Sequence, residues 1–282
     1  MSESVPGMTT MLTRTYPQGV PSWVDTDQQD PQAAQEFYGG VFGWTFTTVS
    51  PPGGPVYAIA AVDGHDVAGI GQALNAPSAW NTYIAVDDAT ATAAQLSAAG
   101  GQITEDPGQV GPFGRAVSLR DPSGVPFRLW QAGTHPGAQL VNDPGSWNFS
   151  DLHTDEPGSI AFYADVFGWA VQDLGFGTLI RRPGYGDHLE ATVDPTIRER
   201  HAEVGAPPEF LDAIARVAPL EPRLAPHWHV SFSVADRDAT AERVERLGGE
   251  VLATDENQWT RTALVRDPQG AVFTASQFTP PA

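Results

Sequence analysis

The sequence predicts an α+β protein of four βαβββ modules arranged as two tandem halves, on three observations. The tetrapeptide VFGW stands at 41–44 and again at 166–169, each time after an aromatic pair, Phe37-Tyr38 and Phe162-Tyr163. DPSGVPF at 121–127 returns as DPQGAVF at 267–273. The stretch PHWHVSFSVAD, 226–236, has an echo in SAWNTYIAVDD, 78–88, which keeps the tryptophan, the alternation and the closing V-x-D. The matches fall in the same order in both halves, so the chain reads as a duplication.

Residues 1–20 read as an irregular arm, because Pro17 and Gly19 break any regular pattern. The first domain, 21–132, opens with a strand at 22–26. Asp30-Pro31 then starts a helix, an N-cap followed by proline at the first helical position. Phe37 and Val41 share a face of that helix, and Gly39-Gly40 read as its fraying end. Strand-like TFTTV, VYAIAAV and DVAGIG follow, parted by PPGG and DGHD turns. The second module repeats the order: WNTYIAV, a helix capped by Asp87 or Asp88, QITE, RAVSLR and VPFRLWQ. Residues 133–146, polar and rich in Gly and Pro, read as the linker to a second domain, 147–282. There WNFSDLH is a strand, EPGSIAFYADVFGW a helix and HLEATV a strand with His188, Glu190 and Thr192 on one face. An insertion without counterpart, 194–225, carries a helical apolar pattern at Phe210, Leu211, Ile214 and Val217, and is a candidate lid, packing element or dimer element. In HWHVSFSV, alternation puts Trp228, Val230, Phe232 and Val234 on an apolar face and His227, His229, Ser231 and Ser233 on a polar one.

Composition narrows the chemistry. The 282 residues hold 34 acidic side chains against 15 basic ones, all arginine, for a formal charge of −19. Such a chain repels nucleic acid and anionic membrane surfaces. With no cysteine, disulfides, thiolate metal sites and cysteine nucleophiles are excluded. Without lysine there is no Schiff base and no Walker phosphate site. The start lacks a signal-peptide core, and no run reaches the roughly 18 apolar residues of a membrane span. A cytoplasmic location is expected.

The FY-x-x-V-F-G-W and D-P-x-G motifs, in four βαβββ modules, resemble the vicinal oxygen chelate superfamily, which includes glyoxalase I, bleomycin-resistance and extradiol dioxygenase families. The tandem form, over about residues 21–279, is similar to an actinobacterial subgroup labelled "hydroxylase" or "glyoxalase-like". The resemblance implies two open eight-stranded cups. It also implies metal ligands on the first and last strand of each module in the metal-dependent relatives. Carried over, those positions fall in the first domain on Trp23, Ala68 or Ile70, Asn81 and Arg128, a set without a good ligand. In the second they fall on Asn148, Glu190, His229 and Thr274, of which Glu190 and His229 are suitable types. A divalent metal is therefore expected only in the second domain, if anywhere.

For His229 and Glu190 three readings stand open: a general acid/base pair in which the glutamate raises the histidine pKa, a partial metal site, or a satisfied polar pair in a pocket wall. His227, Trp228, Asn148 and Thr274 are candidate substrate-binding residues of the same cup. Arg128 is a candidate for holding an anionic or planar ligand, with a structural salt bridge as its alternative. His153 reads as a solvated turn histidine, and the inward face of Asp151's strand is not fixed. The implied function is a small-molecule enzyme, of secondary metabolism, acting on an aromatic or polyketide-like substrate by acid/base or metal-assisted chemistry. Its alternative is a protein that binds or sequesters such a compound. Expected partners are that small molecule and, in a homodimer, a second copy of the chain.

Overall fold

The computed structural model describes residues 13–50, 53–73, 77–174, 177–203, 205, 207–220 and 225–279. Residues 1–12 of the arm and 204, 206 and 221–224 of the expected insertion lie outside them. The first half runs β1 (Pro21–Gln28), α1 (Pro31–Phe42), β2 (Thr45–Thr48), β3 (Tyr57–Val62), β4 (His65–Gln72), β5 (Ala79–Ala85), α2 (Ala89–Ala98), β6 (Gln102–Val110), β7 (Gly114–Arg120) and β8 (Pro126–Ala132). The second runs β9 (Trp147–His153), α3 (Pro157–Phe167), β10 (Ala170–Asp173), β11 (Thr178–Arg181), α4 (Tyr185–Thr192), α5 (Ile197–Glu203), a 3-10 turn (Pro208–Asp212), β12 (Ala213–Ala218), β13 (His227–Ser233), α6 (Arg237–Arg246), β14 (Glu250–Glu256), β15 (Thr260–Arg266) and β16 (Val272–Phe278).

Each half forms one open eight-stranded sheet, ordered β2-β3-β4-β1-β5-β8-β7-β6 and β10-β11-β12-β9-β13-β16-β15-β14, identical strand for strand. At each centre the first strands of two modules pair antiparallel, β1 with β5 and β9 with β13. The central strands thus carry the inner faces of two cups.

Local chemistry sets the helix ends. The Asp30 carboxylate accepts from the amides of Gln32 and Ala33, and the Asp88 carboxylate does the same for Thr90 and Ala91. The glycines of the two VFGW motifs, Gly43 and Gly168, end α1 and α3 in the left-handed region at φ 77° and 67°. Gly39 and Gly40 do not fray α1, which continues to Phe42. They are a close-approach surface, since a Cβ on Gly40 would stand 2.6 Å from Leu247 Cδ1 at the end of α6.

The two cores cross the boundary between the halves. One joins Phe37, Tyr38 and Val41 of α1 to Val230, Phe232, Val244, Val265 and Phe273 of the fourth module. The other joins Ile84, Leu96, Phe127 and Leu129 of the second module to Phe162, Tyr163 and Trp169 of the third. Polar links follow the same crossing. Tyr38 Oη donates to Asp267 Oδ2 at 2.8 Å, and Tyr163 is hydrogen-bonded to Asp121. Those aspartates also accept the amides that fold their own D-P-x-G turns, Ser123 and Val125 to Asp121 and Gln269 and Ala271 to Asp267. Burial and the neighbouring carboxylates push both tyrosines well above their ordinary pKa, so they stay donors.

Three expectations are corrected. HLEATV is not a strand but part of α4, where Tyr185 and Leu189, one turn apart, are buried in the second core. Six alternating residues satisfy both periods, and the i, i+4 apolar pair decides for the helix. Conversely, residues 213–218 are strand β12 of the sheet, not a helix of an insertion, so the segment without counterpart lies between β11 and β12. Trp228 does not line a cup; it is 5% exposed and its indole donates to Tyr163 Oη. The Gly/Pro-rich 133–146 packs on the first half, with Ala138 fully buried and the His135 carbonyl accepting from the Trp130 indole.

Candidate functional site

Cross-strand register makes the two cups comparable residue by residue. Asn81 lies opposite Asp25 in the first, and His229 lies opposite Asp151 in the second. Along the parallel neighbours, Tyr83 pairs with Arg128 and Ser231 with Thr274. Asp25 therefore corresponds to Asp151, Asn81 to His229 and Arg128 to Thr274.

The floor of the first cup is closed on itself. The Arg128 guanidinium binds Asp25 at 3.0 Å and Asp27 at 2.6 Å and donates to Tyr83 Oη at 2.7 Å. Asp25 also accepts from Asn81, Tyr57 and Tyr83. Burial pushes its carboxyl upward, opposed by Arg128 and by the bonds from Tyr83 and Asn81. Gly69, beside Asp25 on β4, leaves the space that the Tyr57 hydroxyl occupies; any side chain there would collide with it. The first-strand position is Asp25 rather than Trp23, because Asp25 stands opposite Asn81 and Trp23 opposite Tyr83. Arg128 is committed to these partners, and its cationic head opposes a metal.

The second cup is built differently. Arg216 on β12 grips Asp151 through Nε at 3.1 Å and Nη2 at 2.6 Å, and its guanidinium lies 5.6 Å from the Phe149 ring centre. Asp151 is buried, whereas the Arg216 side chain keeps 58% exposure. His229 is buried, and its Nε2 lies 2.8 Å from Thr274 Oγ1. His153 and His227 sit directly opposite each other on β9 and β13 with ring centres 4.8 Å apart, and the His229 ring is 5.1 Å from His153. One nitrogen from each of these three rings lies within 4.8 Å of the others. Burial, then the charges of His153, His227 and Arg216, push the His229 pKa down to about 3, so the ring is neutral at neutral pH.

Of the sequence-predicted residues, the structure brings His229, His227 and Thr274 together. Glu190 lies elsewhere, half-exposed on α4, accepting from Arg198 Nε at 2.7 Å. The expected upward shift of His229 is reversed, since no carboxylate of α4 pairs with it. Asn148, on the opposite face of β9 from Asp151 by alternation, donates to Asn142 Oδ1. Three members of the site were missed: Asp151, His153 and Arg216. The signal for Arg216 was in the repeat, because β4 ends shortly before β5 and a strand was due at the same place before β13.

The four positions where metal-dependent members of this fold hold an ion are here Asp151, Arg216, His229 and Thr274. They do not fit one. The guanidinium already neutralises the one carboxylate, and threonine is a weak ligand. A separate hollow of about 400 Å³ lies on the first half beside Asp88, Thr90, Arg115 and Gln131. Its polar groups are engaged locally, Asp88 capping α2, Gln131 accepting the Ala89 amide and Arg115 bonded to Thr90.

Residues 28–129 match the family model of the glyoxalase/bleomycin resistance protein/dioxygenase superfamily, and 149–276 match that of the glyoxalase-like domain. The chain is 37% identical to CFP32 of Mycobacterium tuberculosis, named provisionally as a glyoxylase, over 94% of this chain and 97% of that protein. It is 33% identical to the anthracycline biosynthesis protein DauV of Streptomyces sp. strain C5, over 95% and 96%. Among solved structures it resembles the Mn(II)-bound glyoxalase of Novosphingobium aromaticivorans, at TM-score 0.60 and 17% identity, covering 92% of this chain and 82% of that one. Among the described residues no helix is long and apolar enough to cross a membrane.

Proposed function

Because the chain belongs to the glyoxalase/bleomycin resistance/dioxygenase superfamily, we propose that it is a small-molecule enzyme of secondary metabolism whose second cup takes an oxygenated aromatic or polyketide-like substrate. The observation that carries this is the contrast between the cups. The first turns its charges inward on one another, while the second leaves an arginine head exposed beside a buried neutral imidazole. A planar ligand would stack beside Phe149 with a carbonyl or phenolate oxygen on Arg216, where developing negative charge is stabilised. His229 faces the same region with Thr274 holding one ring nitrogen, which leaves the other nitrogen of a neutral imidazole to meet the reacting group. The relationship to DauV supports a polycyclic aromatic compound as the first substrate to try.

The test uses oxygenated polycyclic aromatic polyketides, with binding read by tryptophan fluorescence and turnover by mass spectrometry. His229→Asn copies the first cup. It is expected to bind within a few-fold of the parent and to lose turnover by about 10²–10³, the usual worth of one positioned polar group aimed at the reacting centre. A variant that turns over as fast as the parent overturns the enzymatic role of His229. The exposed Arg216 on Phe149 also favours a second reading, a protein that binds or sequesters the same compounds. Binding without turnover in the parent chain selects it.

A further inference from the structure

Three of the chain's seven histidines meet on one face of the second cup, and the acid/base constellation expected there leaves two of them without a use. We propose that His153, His227 and His229 form a binding site for one first-row transition-metal ion, displaced along β9 and β13 from the position the fold ordinarily uses. The inference rests on the second cup being the working site, and it is tested without substrate so that the two can fail separately.

The ordinary position is taken. Arg216 and Asp151 neutralise each other there, so a cation gains nothing from the carboxylate and meets the guanidinium. Two residues further along β9 and two back along β13 stand His153 and His227, direct cross-strand partners. The first cup has Asp27 and Ala79 at the corresponding pair, so the duplicated scaffold does not demand imidazole at either place. With His229 they make a set of imidazole nitrogen donors, the type preferred by Zn²⁺, Ni²⁺, Cu²⁺ and Fe²⁺ and poorly suited to Mg²⁺ or Ca²⁺.

The hydrogen bonds around the rings support the assignment. His227 Nδ1 lies 2.9 Å from the Ala225 carbonyl, which can only accept, so Nδ1 donates there and Nε2 is the nitrogen left for an ion. His229 Nε2 is held by Thr274, which leaves Nδ1. Anchoring one nitrogen on a protein group while the other faces the ion is the usual outer-shell arrangement of metal-bound histidines. One nitrogen of each ring lies within 4.8 Å of the others, near enough for the three to converge on one ion at metal–nitrogen distances of about 2.0–2.1 Å. Three protein ligands leave at least one coordination position open toward the cup, the pattern of catalytic rather than structural sites.

The experiment takes the full chain, purified without a histidine tag and stripped with chelator, and adds Zn²⁺, Ni²⁺ or Co²⁺. Equilibrium dialysis with metal analysis gives stoichiometry and affinity, and the visible Co²⁺ spectrum reports coordination. The expected result is one ion per chain. His227→Ala and His153→Ala should each weaken it by more than the roughly 10–100-fold that outer-shell changes cost, and His188→Ala, on α4, should leave it unchanged. Circular dichroism verifies that each variant is folded, and Thr274→Val supplies a milder variant with a smaller loss. No stoichiometric ion in the parent, or an ion bound equally well by the His153 and His227 variants, overturns the proposal. An ion bound as expected without any turnover sustains the site and counts against the enzyme reading. Turnover that needs His229 in an ion-free protein does the reverse.

Discussion

Asp25 is sealed in the first cup, where its side chain keeps 1% of its exposure and Arg128 keeps 21%. Removing one partner of a buried pair strands the other charge, at a cost of about 3–5 kcal/mol. Arg128→Met is therefore expected to destabilise the chain by roughly 3 kcal/mol in urea unfolding. Adding Asp25→Asn should recover much of that loss, because the stranded charge is gone while Tyr57 and Tyr83 still bond the amide. In the second cup Arg216 is largely solvated, so Arg216→Met should cost less, about 1–2 kcal/mol, mostly through Asp151. It should instead weaken binding of an anionic planar ligand. If the two arginine variants lose equal stability, the contrast drawn between a sealed and a working cup is wrong.

Helix α4 carries a second test. Glu190 is spent on Arg198 and stands on an element that carries none of the site residues. Glu190→Gln should leave metal binding and turnover within about twofold of the parent, since its partner Arg198 lies in solvent. A loss comparable to that of His229→Asn would restore the predicted acid/base pair. The repeated motifs made the modules and the polar face bearing His227 and His229 legible in the sequence, and the family resemblance implied the two cups, because a duplication shows where an element is due even when periodicity is ambiguous. Glu190 and Arg216 escaped for one shared reason. Alternation over six residues fits a short helix, and an apolar pattern with a few misfits fits a strand, so HLEATV and AIARVA exchanged identities. His153 escaped because its ring acquires meaning only from the strand across from it, which no local pattern reveals.

At the scale of the molecule, the sheets divide at the linker but the cores do not. Tyr38 belongs to the first half, yet its ring lies 5.8 Å from Phe273 and its hydroxyl is spent on Asp267, both of the second. Phe127 faces Tyr163 at 5.1 Å across the same boundary in the other direction. Thr82 Oγ1 donates to Ser150 Oγ between the two central strands. Each half alone would expose one side of both cores, and fully burying such a side chain contributes about 1.5–3 kcal/mol. Against a net stability of about 5–15 kcal/mol for a whole protein, losing a handful of those contacts leaves neither half folded. The expected outcome is that 21–132 and 147–279, expressed separately, give no sharp calorimetric transition, while the two fragments mixed or co-expressed recover one. The intact chain should unfold in a single transition by calorimetry, with Tyr38→Phe lowering the stability of the whole by about 1–3 kcal/mol through the buried carboxylate left short of a donor. Two separated transitions, with Tyr38→Phe moving only one of them, would mean that the halves are independent domains and that the crossing cores contribute little to holding the molecule together.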